Sequence, residues 1–313
     1  MWRLLVKKYV KLYSALQIYG ENLPPDAGQK TENPQGGKCR KMLDNLFGLH
    51  GKTALVTGGA TGIGRMAAEG LVAAGARVLI ASRKGPACAA VAEELNARGY
   101  PGRAEGFSGD VATQEGIAAL VDDVSARTDK LNILMNNAGR SWGAPVEDFP
   151  YDGWSKIFDL NVTGMFELTR RLIPLLEATA SQDDPARVVN VGSIMGDIPK
   201  GGDAVSYAVS KGAVHHMTRV LANEFTPRFI TVNAIAPGPF LSNMTSFAIS
   251  TEEGQNRAAQ GVPIGRVGRP EDIAGALLYL CGRGGAYVSG AILPLSGGMN
   301  SHSTGTLFGG NAE

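Results

Sequence analysis

From about Leu43 onward the chain alternates short apolar runs with helix-length segments, and this alternation constrains its fold more than any other feature. The runs Thr53–Thr57, Arg77–Ala81, Arg103–Phe107, Leu131–Asn136, Arg187–Gly192, Ile230–Ile235 and Ala291–Leu295 have strand length. Most are too apolar to keep one wet face, as strands of an antiparallel sheet often do. Between most of them lie alanine- and leucine-rich stretches, such as Gly62–Ala74 and Thr113–Arg127, long enough for crossover helices. The pattern predicts an α/β fold: a single-domain, Rossmann-like, doubly wound parallel sheet of about seven strands with helices on both faces. No internal repeat or linker-like break appears between residues 42 and 300, which read as one domain.

Composition narrows the class. With 44% hydrophobic and 19% charged residues, the 313-residue chain can bury a sizeable core and is not disordered as a whole. No stretch approaches the ~18 uninterrupted apolar residues of a spanning helix, which argues against an integral membrane protein. Cys39, Cys88 and Cys281 are far apart and form no CxxC pair, so neither a disulfide scaffold nor a cysteine zinc site is expected. That usage fits a reducing compartment, with the cytoplasm as the expected location. The histidines, His50, His215, His216 and His302, have no carboxylate at ligand spacing, so no metal is expected. His215 and His216 are adjacent and point to different helix faces, as surface or packing residues would.

Charge is unevenly spread. Residues 1–41 hold eight basic and three acidic residues, leaving 22 and 26 for the rest. A body near neutrality offers no broad footprint for nucleic acid. Within the leader, Trp2, Leu5, Val6, Tyr9, Leu12, Tyr13 and Leu16 recur at helical spacing opposite Arg3, Lys7, Lys8 and Lys11. Glu21 to Lys38 then has a proline- and glycine-rich linker composition. An interfacial anchor or organelle-targeting peptide is one reading of residues 1–41. A helix docked on its own domain, or a true start at Met42, are the others. Residues 301–313 read as a small, polar, loosely ordered tail.

The first strand runs into Gly58-Gly-Ala-Thr61-Gly62-Ile63-Gly64, and a helix opens there. Glycines at this junction allow a tight turn, close approach of backbone to a pyrophosphate, and close helix–strand packing. The helix N-terminus turns free N–H groups toward the phosphates. The second strand ends Ser82-Arg83-Lys84, with no acid to bond a ribose 2′-hydroxyl. A hydroxyl and two cations suit a 2′-phosphate instead, which favours NADP(H) over NAD(H). The alternative is that Arg83 and Lys84 are simply solvated.

Ser193 ends the fifth strand, and Tyr207-Ala-Val-Ser-Lys211 opens the next helix. Four residues make about one turn, so Tyr207 and Lys211 share a face. A free tyrosine titrates near 10, and an ammonium held close favours the phenolate and lowers that value. By itself the pair occurs by chance in many helices. Behind a nucleotide turn it reads as a proton-transfer site.

Together these pieces resemble the short-chain dehydrogenase/reductase family across about Leu49 to Met299. The matching residues are Thr57-Gly58-x-x-x-Gly62-x-Gly64, Asp110-Val111, Asn136-Asn-Ala138-Gly139, Asn161, Ser193, Tyr207-x-x-x-Lys211 and Pro237-Gly238, in the family's order. The resemblance implies a catalytic tetrad of Asn161, Ser193, Tyr207 and Lys211, and hydride transfer between nicotinamide and a carbonyl or secondary alcohol carbon. It implies that Tyr207 protonates the alkoxide, Ser193 bonds the same oxygen, Lys211 holds the nicotinamide ribose, and Asn161 holds a relay water. By the same resemblance, Asp110 and Val111 meet the adenine, Asn136 the adenosine ribose, and Ala138 and Gly139 leave the cofactor room. Thr61 and Ile63 belong to the cofactor turn. Where many members carry isoleucine or valine and then threonine after Pro237-Gly238, this chain has Phe240 and Ser242, still able to bond the carboxamide.

Within that family, Asn137 to Gly143 and the ending Gly285-Ala-Tyr-Val-Ser-Gly-x-x-x-Pro294 look like 3-oxoacyl-carrier-protein reductases, the rhamnolipid-biosynthesis type in particular. The implied substrate is a 3-oxoacyl thioester, with an acyl carrier protein as a candidate partner. Of the family's basic docking positions, Arg228 matches and Ala180 does not. A ketone reductase or secondary-alcohol dehydrogenase of free substrates is the alternative, with Trp142, Phe240, Met244 and Phe247 lining an apolar pocket. A different class of answer is a non-catalytic NADP-binding scaffold. The segment from Phe240 to Val262 is the expected lid, and a homotetramer or homodimer is implied by resemblance.

Overall fold

A computed structural model describes residues 34–199, 203–242 and 244–301, without the side chains of residues 34–40 and 247. The chain separates into two units, residues 1–41 and 42–313. The expected helix Trp2–Tyr19 and the tail beyond Ser301 lie outside the described residues. So does the linker up to residue 33. Its last residues do not continue as linker, because helix α1 (Pro34–Phe47) begins inside it. Proline suits a first helical turn, where its missing N–H is not needed and its φ is already set.

The second unit is built on one seven-stranded sheet in the order β3-β2-β1-β4-β5-β6-β7. The strands are β1 (Thr53–Thr57), β2 (Arg77–Ser82), β3 (Arg103–Ser108), β4 (Ile133–Asn136), β5 (Ala186–Val191), β6 (Ile230–Pro237) and β7 (Ile292–Leu295). All neighbours run parallel, for example with Val56 opposite Ile80 and Met135. Each predicted run holds a strand, with Thr53–Thr57 matched at both ends and the others differing by at most two residues at an end.

Alternate strand residues feed two cores, as the two-residue repeat requires. On one face Ala54 and Val56 meet Leu71 of α2 (Gly62–Ala73) and Leu277 of α10 (Pro270–Cys281). On the other, Leu55 meets Leu120 of α4 (Gln114–Arg127), Leu172 of α6 (Met165–Glu177) and Leu221 of α7 (Val205–Phe225). The remaining helices are α3 (Gly85–Ala97), α5 (Asp152–Phe158), α8 (Ser246–Ile249) and α9 (Glu252–Gln260).

Strand order reverses between β1 and β4. At such a switch point the crossovers leave in opposite directions and open a crevice beyond the strands' C-terminal ends. The ends of β1, β2, β4, β5 and β6 carry the glycine turn, the cations, the doubled asparagine, Ser193 and Pro237 in that order. Among the described residues no helix is long and apolar enough to cross a membrane. None of their His, Cys, Asp and Glu side chains cluster in a way that could hold a metal ion.

Candidate active site

The glycine turn is held from behind by residues of β1 and the end of β4. Thr57 Oγ1 accepts from the amides of Asn137 and Ala138, both at 3.1 Å. Asn137 Nδ2 donates to the carbonyls of Thr57 and Gly58, at 2.8 and 3.1 Å. A Cβ on Gly64 would overlap the Gly58 carbonyl and Asn137 Nδ2, and Gly58 and Gly62 sit at φ +64° and +54°. Glycine is therefore required here by space and by backbone angle. Thr61 is extended and makes no side-chain cap, so the first N–H groups of α2 face the crevice without an internal acceptor. Ile63 lies in that first turn and packs against the core. This cradle of bare backbone donors fits a dinucleotide pyrophosphate.

At the end of β2, Arg83 and Lys84 are exposed. Among the described residues neither takes part in a salt bridge. Their charges are available to a 2′-phosphate. Ser82 Oγ already accepts from the Lys84 amide at 3.2 Å and lies 3.0 Å from Cys88 Sγ, so its hydroxyl also shapes the turn. Asp110 Oδ1 accepts from the Ala112 amide at 2.9 Å and Val111 is buried, which fixes the turn after β3.

Asn136 closes β4 at the crevice end of the sheet. Its side chain turns into the sheet, where Nδ2 donates to Thr169 Oγ1 and Asn190 Oδ1, both at 2.9 Å, and Oδ1 has no partner. The side chain is thus taken up by a buried ladder, which leaves a contact with an adenosine ribose to the backbone at the end of β4. Asn137, which the motifs alone do not single out, does the clamping. The doubled asparagine is the visible signal, and only the strand register decides which one faces inward.

Asn161 lies fully buried in a π-helical stretch, Asp159–Gly164, between α5 and α6. Its Oδ1 accepts from the Arg140 amide, and its Nδ2 donates to the Arg140 carbonyl and Ser210 Oγ, all at 3.0–3.1 Å. It ties the Gly139 turn to α7. A Cβ on Gly139 would stand 3.2 Å from Asn161 Oδ1, while Ala138 packs beside the second core.

Ser193 follows β5 directly and caps a short 3-10 turn by accepting from the Met195 amide at 3.2 Å. Its hydroxyl lies near enough to the Tyr207 phenol to draw that pKa down. Burial acts more strongly and holds that pKa above 10. Lys211 is buried, and desolvation pulls its ammonium down to about 8. Its Nζ donates to the Val191 carbonyl at 2.7 Å and stands 5.6 Å from the Tyr207 ring centre. The two side chains share a face as the spacing requires. The expected acidification of Tyr207 by Lys211 does not appear in this arrangement, because the ammonium is turned to the strand carbonyl.

Pro237 ends β6, and the Gly238 amide donates to the Leu295 carbonyl at 2.9 Å. Phe240 does not line the substrate pocket as its position suggests. Its side chain is 2% exposed, packed on Gly268 where a Cβ would otherwise sit, and belongs to the first core. Burying a whole phenyl ring there outweighs leaving it beside a wet crevice. Ser242 bonds Thr245 through both its amide and its hydroxyl at 3.0 Å and lies against Gly62, so it reaches the cofactor turn. Trp142 is 43% exposed, edge-on to Phe149 with ring centres 5.2 Å apart, and Met244 is 41% exposed. Both are open to a ligand. The side chain of Phe247 lies outside the described residues.

Comparison with known proteins points the same way. A family model described as enoyl-(acyl carrier protein) reductase matches residues 58–300. The chain is 42% identical to the rhamnolipids biosynthesis 3-oxoacyl-[acyl-carrier-protein] reductase of Pseudomonas aeruginosa, over 81% of this chain and 98% of that one. It is 34% identical to the 3-oxoacyl-[acyl-carrier-protein] reductase FabG of Aquifex aeolicus, over 80% and 98%. Among solved structures, the Pseudomonas aeruginosa RhlG/NADP active-site complex superposes with a TM-score of 0.78 at 42% identity, covering 82% of this chain and 99% of that one.

Proposed function

Because the chain belongs to the short-chain dehydrogenase/reductase family, we infer that it is an NADP(H)-dependent oxidoreductase that reduces 3-oxoacyl thioesters to 3-hydroxyacyl thioesters. The observation that carries this reading is the Tyr207 phenol set within influence of the Ser193 hydroxyl and 5.6 Å, ring centre to Nζ, from buried Lys211, beside a glycine turn shaped for a dinucleotide.

When bound, NADPH supplies the hydride. Gly58, Thr61, Gly62, Ile63 and Gly64 cradle its pyrophosphate, and Ser82, Arg83 and Lys84 meet its 2′-phosphate. Tyr207 hands its proton to the substrate oxygen as negative charge develops there, and Ser193 donates to the same atom. A phenol kept protonated by burial is suited to the reduction direction. Lys211 holds the ribose, and Asn161 keeps the strand-end turn and α7 in register for a relay water. Trp142 and Met244 offer apolar contact to an acyl chain, beneath a lid running from Phe240 to Val262.

One observation favours a second reading. Arg228 is the one matched basic docking position of the two compared, and its guanidinium is held by Glu177 at 2.7 Å and lies over Phe225. A carrier protein would have to compete with Glu177 for it, which favours substrates presented without a carrier. The test is an NADPH oxidation assay across 3-oxoacyl thioesters, both carrier-bound and carrier-free, free ketones and diketones, with NADH in parallel. Strong preference for the thioesters supports the reading. Preference for free ketones selects the second, and cofactor binding without any turnover points to a scaffold.

A further inference from the structure

The helix face of Tyr207 and Lys211 continues one turn on to His215, a buried side chain with no part in the reaction above. Its Nδ1 lies 2.9 Å from Asp197 Oδ1, and its Nε2 has no partner. The ring is seated inside the turn that carries Ser193. A Cβ on Gly192 would overlap Nε2, and one on Gly196 would stand 2.8 Å from Cε1. These glycines flank Ser193, and Asp197 closes the same turn as its C-cap. An apolar side chain of similar size would fill the space without stranding a nitrogen. It could not hold Asp197.

We propose that His215 and Asp197 clamp the 192–197 turn onto the helix of Tyr207 and Lys211, which makes His215 the positioning residue that sets Ser193 against Tyr207. The proposal rests on the roles given above to those two hydroxyls. The groups facing the ring are Asp197 on the turn and Lys211 and Arg219 on the helix. Burial, aided by both cations, favours the neutral imidazole against the pull of Asp197. A neutral ring carries one proton, and the bond to Asp197 takes it at Nδ1. Nε2 is then the bare acceptor lying against Gly192. The clamp is a directional bond on one side of the ring and close packing on the other, so it fixes both the height and the rotation of the turn.

The test compares His215→Leu, which fills the space and loses the bond, with His215→Asn, whose amide can still donate to Asp197. In His215→Leu, kcat is expected to fall about 10- to 100-fold, as misplaced catalytic groups do, with KM and NADPH affinity little changed. His215→Asn restores most of the rate. A phenolate absorbance titration, taken as the difference from Tyr207→Phe, reads the tyrosine without any substrate. Tyr207 should titrate higher in His215→Leu, since the nearby Ser193 hydroxyl is what draws it down, and should return toward the parent in His215→Asn. Should His215→Leu not fold, Asp197→Ala removes the same bond from a half-exposed position and is expected to give the same upward shift. Parent-like kcat and titration in the folded Leu or Ala variant overturn the clamp, as does an Asn variant no better than Leu. If the parent reduces no carbonyl, the proposed function fails, and the titration still decides the clamp.

Discussion

Tyr207 and Lys211 are each shifted by burial, in the direction that removes their charge. The phenol is held above 10 and the ammonium is pulled to about 8. The consequence for Lys211 is a stability and an activity that move oppositely with pH. Between about 8 and the unfolded value of 10.5 the unfolded chain holds more protons than the folded one, so stability rises with pH across that window. The buried charge costs on the order of 3 kcal/mol below pH 8, and this is relieved as the proton leaves. Reduction that needs the ammonium should instead decline as pH passes about 8. A pH–rate profile set beside denaturant unfolding at the same pH values checks both signs. If rate and stability fall together, the limb belongs to unfolding and not to Lys211. Replacing the phenol is more severe. Tyr207→Phe removes the proton donor and should cut turnover by about 10²–10⁴-fold, while NADPH binding measured by fluorescence titration stays near the parent value. The spacing of these two residues was legible because one helical turn is a local property. The partnership of His215 with Asp197 was not, because it depends on a turn that folds back over 18 positions.

Among the elements, β4, β5 and α7 are stitched by a buried polar ladder. Asn136 donates to Asn190, Asn190 donates to Thr218 at 3.0 Å, and Asn136 also donates to Thr169 on α6. Each strand here leads into a site residue: β4 into the Asn137 clamp, β5 into Ser193. The ladder therefore holds the site's two halves at a fixed offset. Asn190→Ala removes two bonds of this ladder, although the Asn136 amide keeps Thr169 and the Thr218 hydroxyl keeps the Val214 carbonyl. Each lost hydrogen bond is worth about 0.5–1.5 kcal/mol, so a loss of about 1–3 kcal/mol in denaturant unfolding is the expected result. A loss below about 1 kcal/mol would mean that neighbouring groups or water take over the partners. The strands themselves were legible, because a sheet covered on both faces leaves continuous apolar runs in the sequence. What an asparagine inside such a run does was not. Asn136 and Asn137 are alike in composition, and only register sends one into the sheet and the other to the glycine turn. Phe240 shows the same limit. Its place two residues after Gly238 suggests the pocket, whereas a glycine 28 positions on makes room for its ring in the core.

At the scale of the molecule, the second unit leaves apolar side chains uncovered on the helix that carries the site. Val209 and Val220 are exposed on α7, eleven residues apart and so close to three full turns, on one side of that helix. Lys211, His215 and Thr218 are buried on another side. Phe166 on α6 and Tyr287 after α10 are exposed as well. The stripe on α7 also carries half-buried Ala213 and exposed His216, and such a partly apolar face is most simply covered by a second copy, closed symmetric pairs being the usual form of such contacts. Covering α7 would also stiffen the helix that sets Tyr207, Lys211 and His215, linking assembly to the site without adding a residue to it. We therefore expect a homodimer or homotetramer, with two or four times the chain mass by light scattering coupled to size exclusion. The double substitution Val209→Glu and Val220→Glu places two like charges in the stripe and should shift the protein to the monomer while its far-ultraviolet circular dichroism is kept. Because assembly stabilises by mass action, the parent's melting temperature should rise with protein concentration and that of the double variant should not. A parent that elutes as a monomer at all concentrations, or a double variant of unchanged mass, would place the contact elsewhere or remove it.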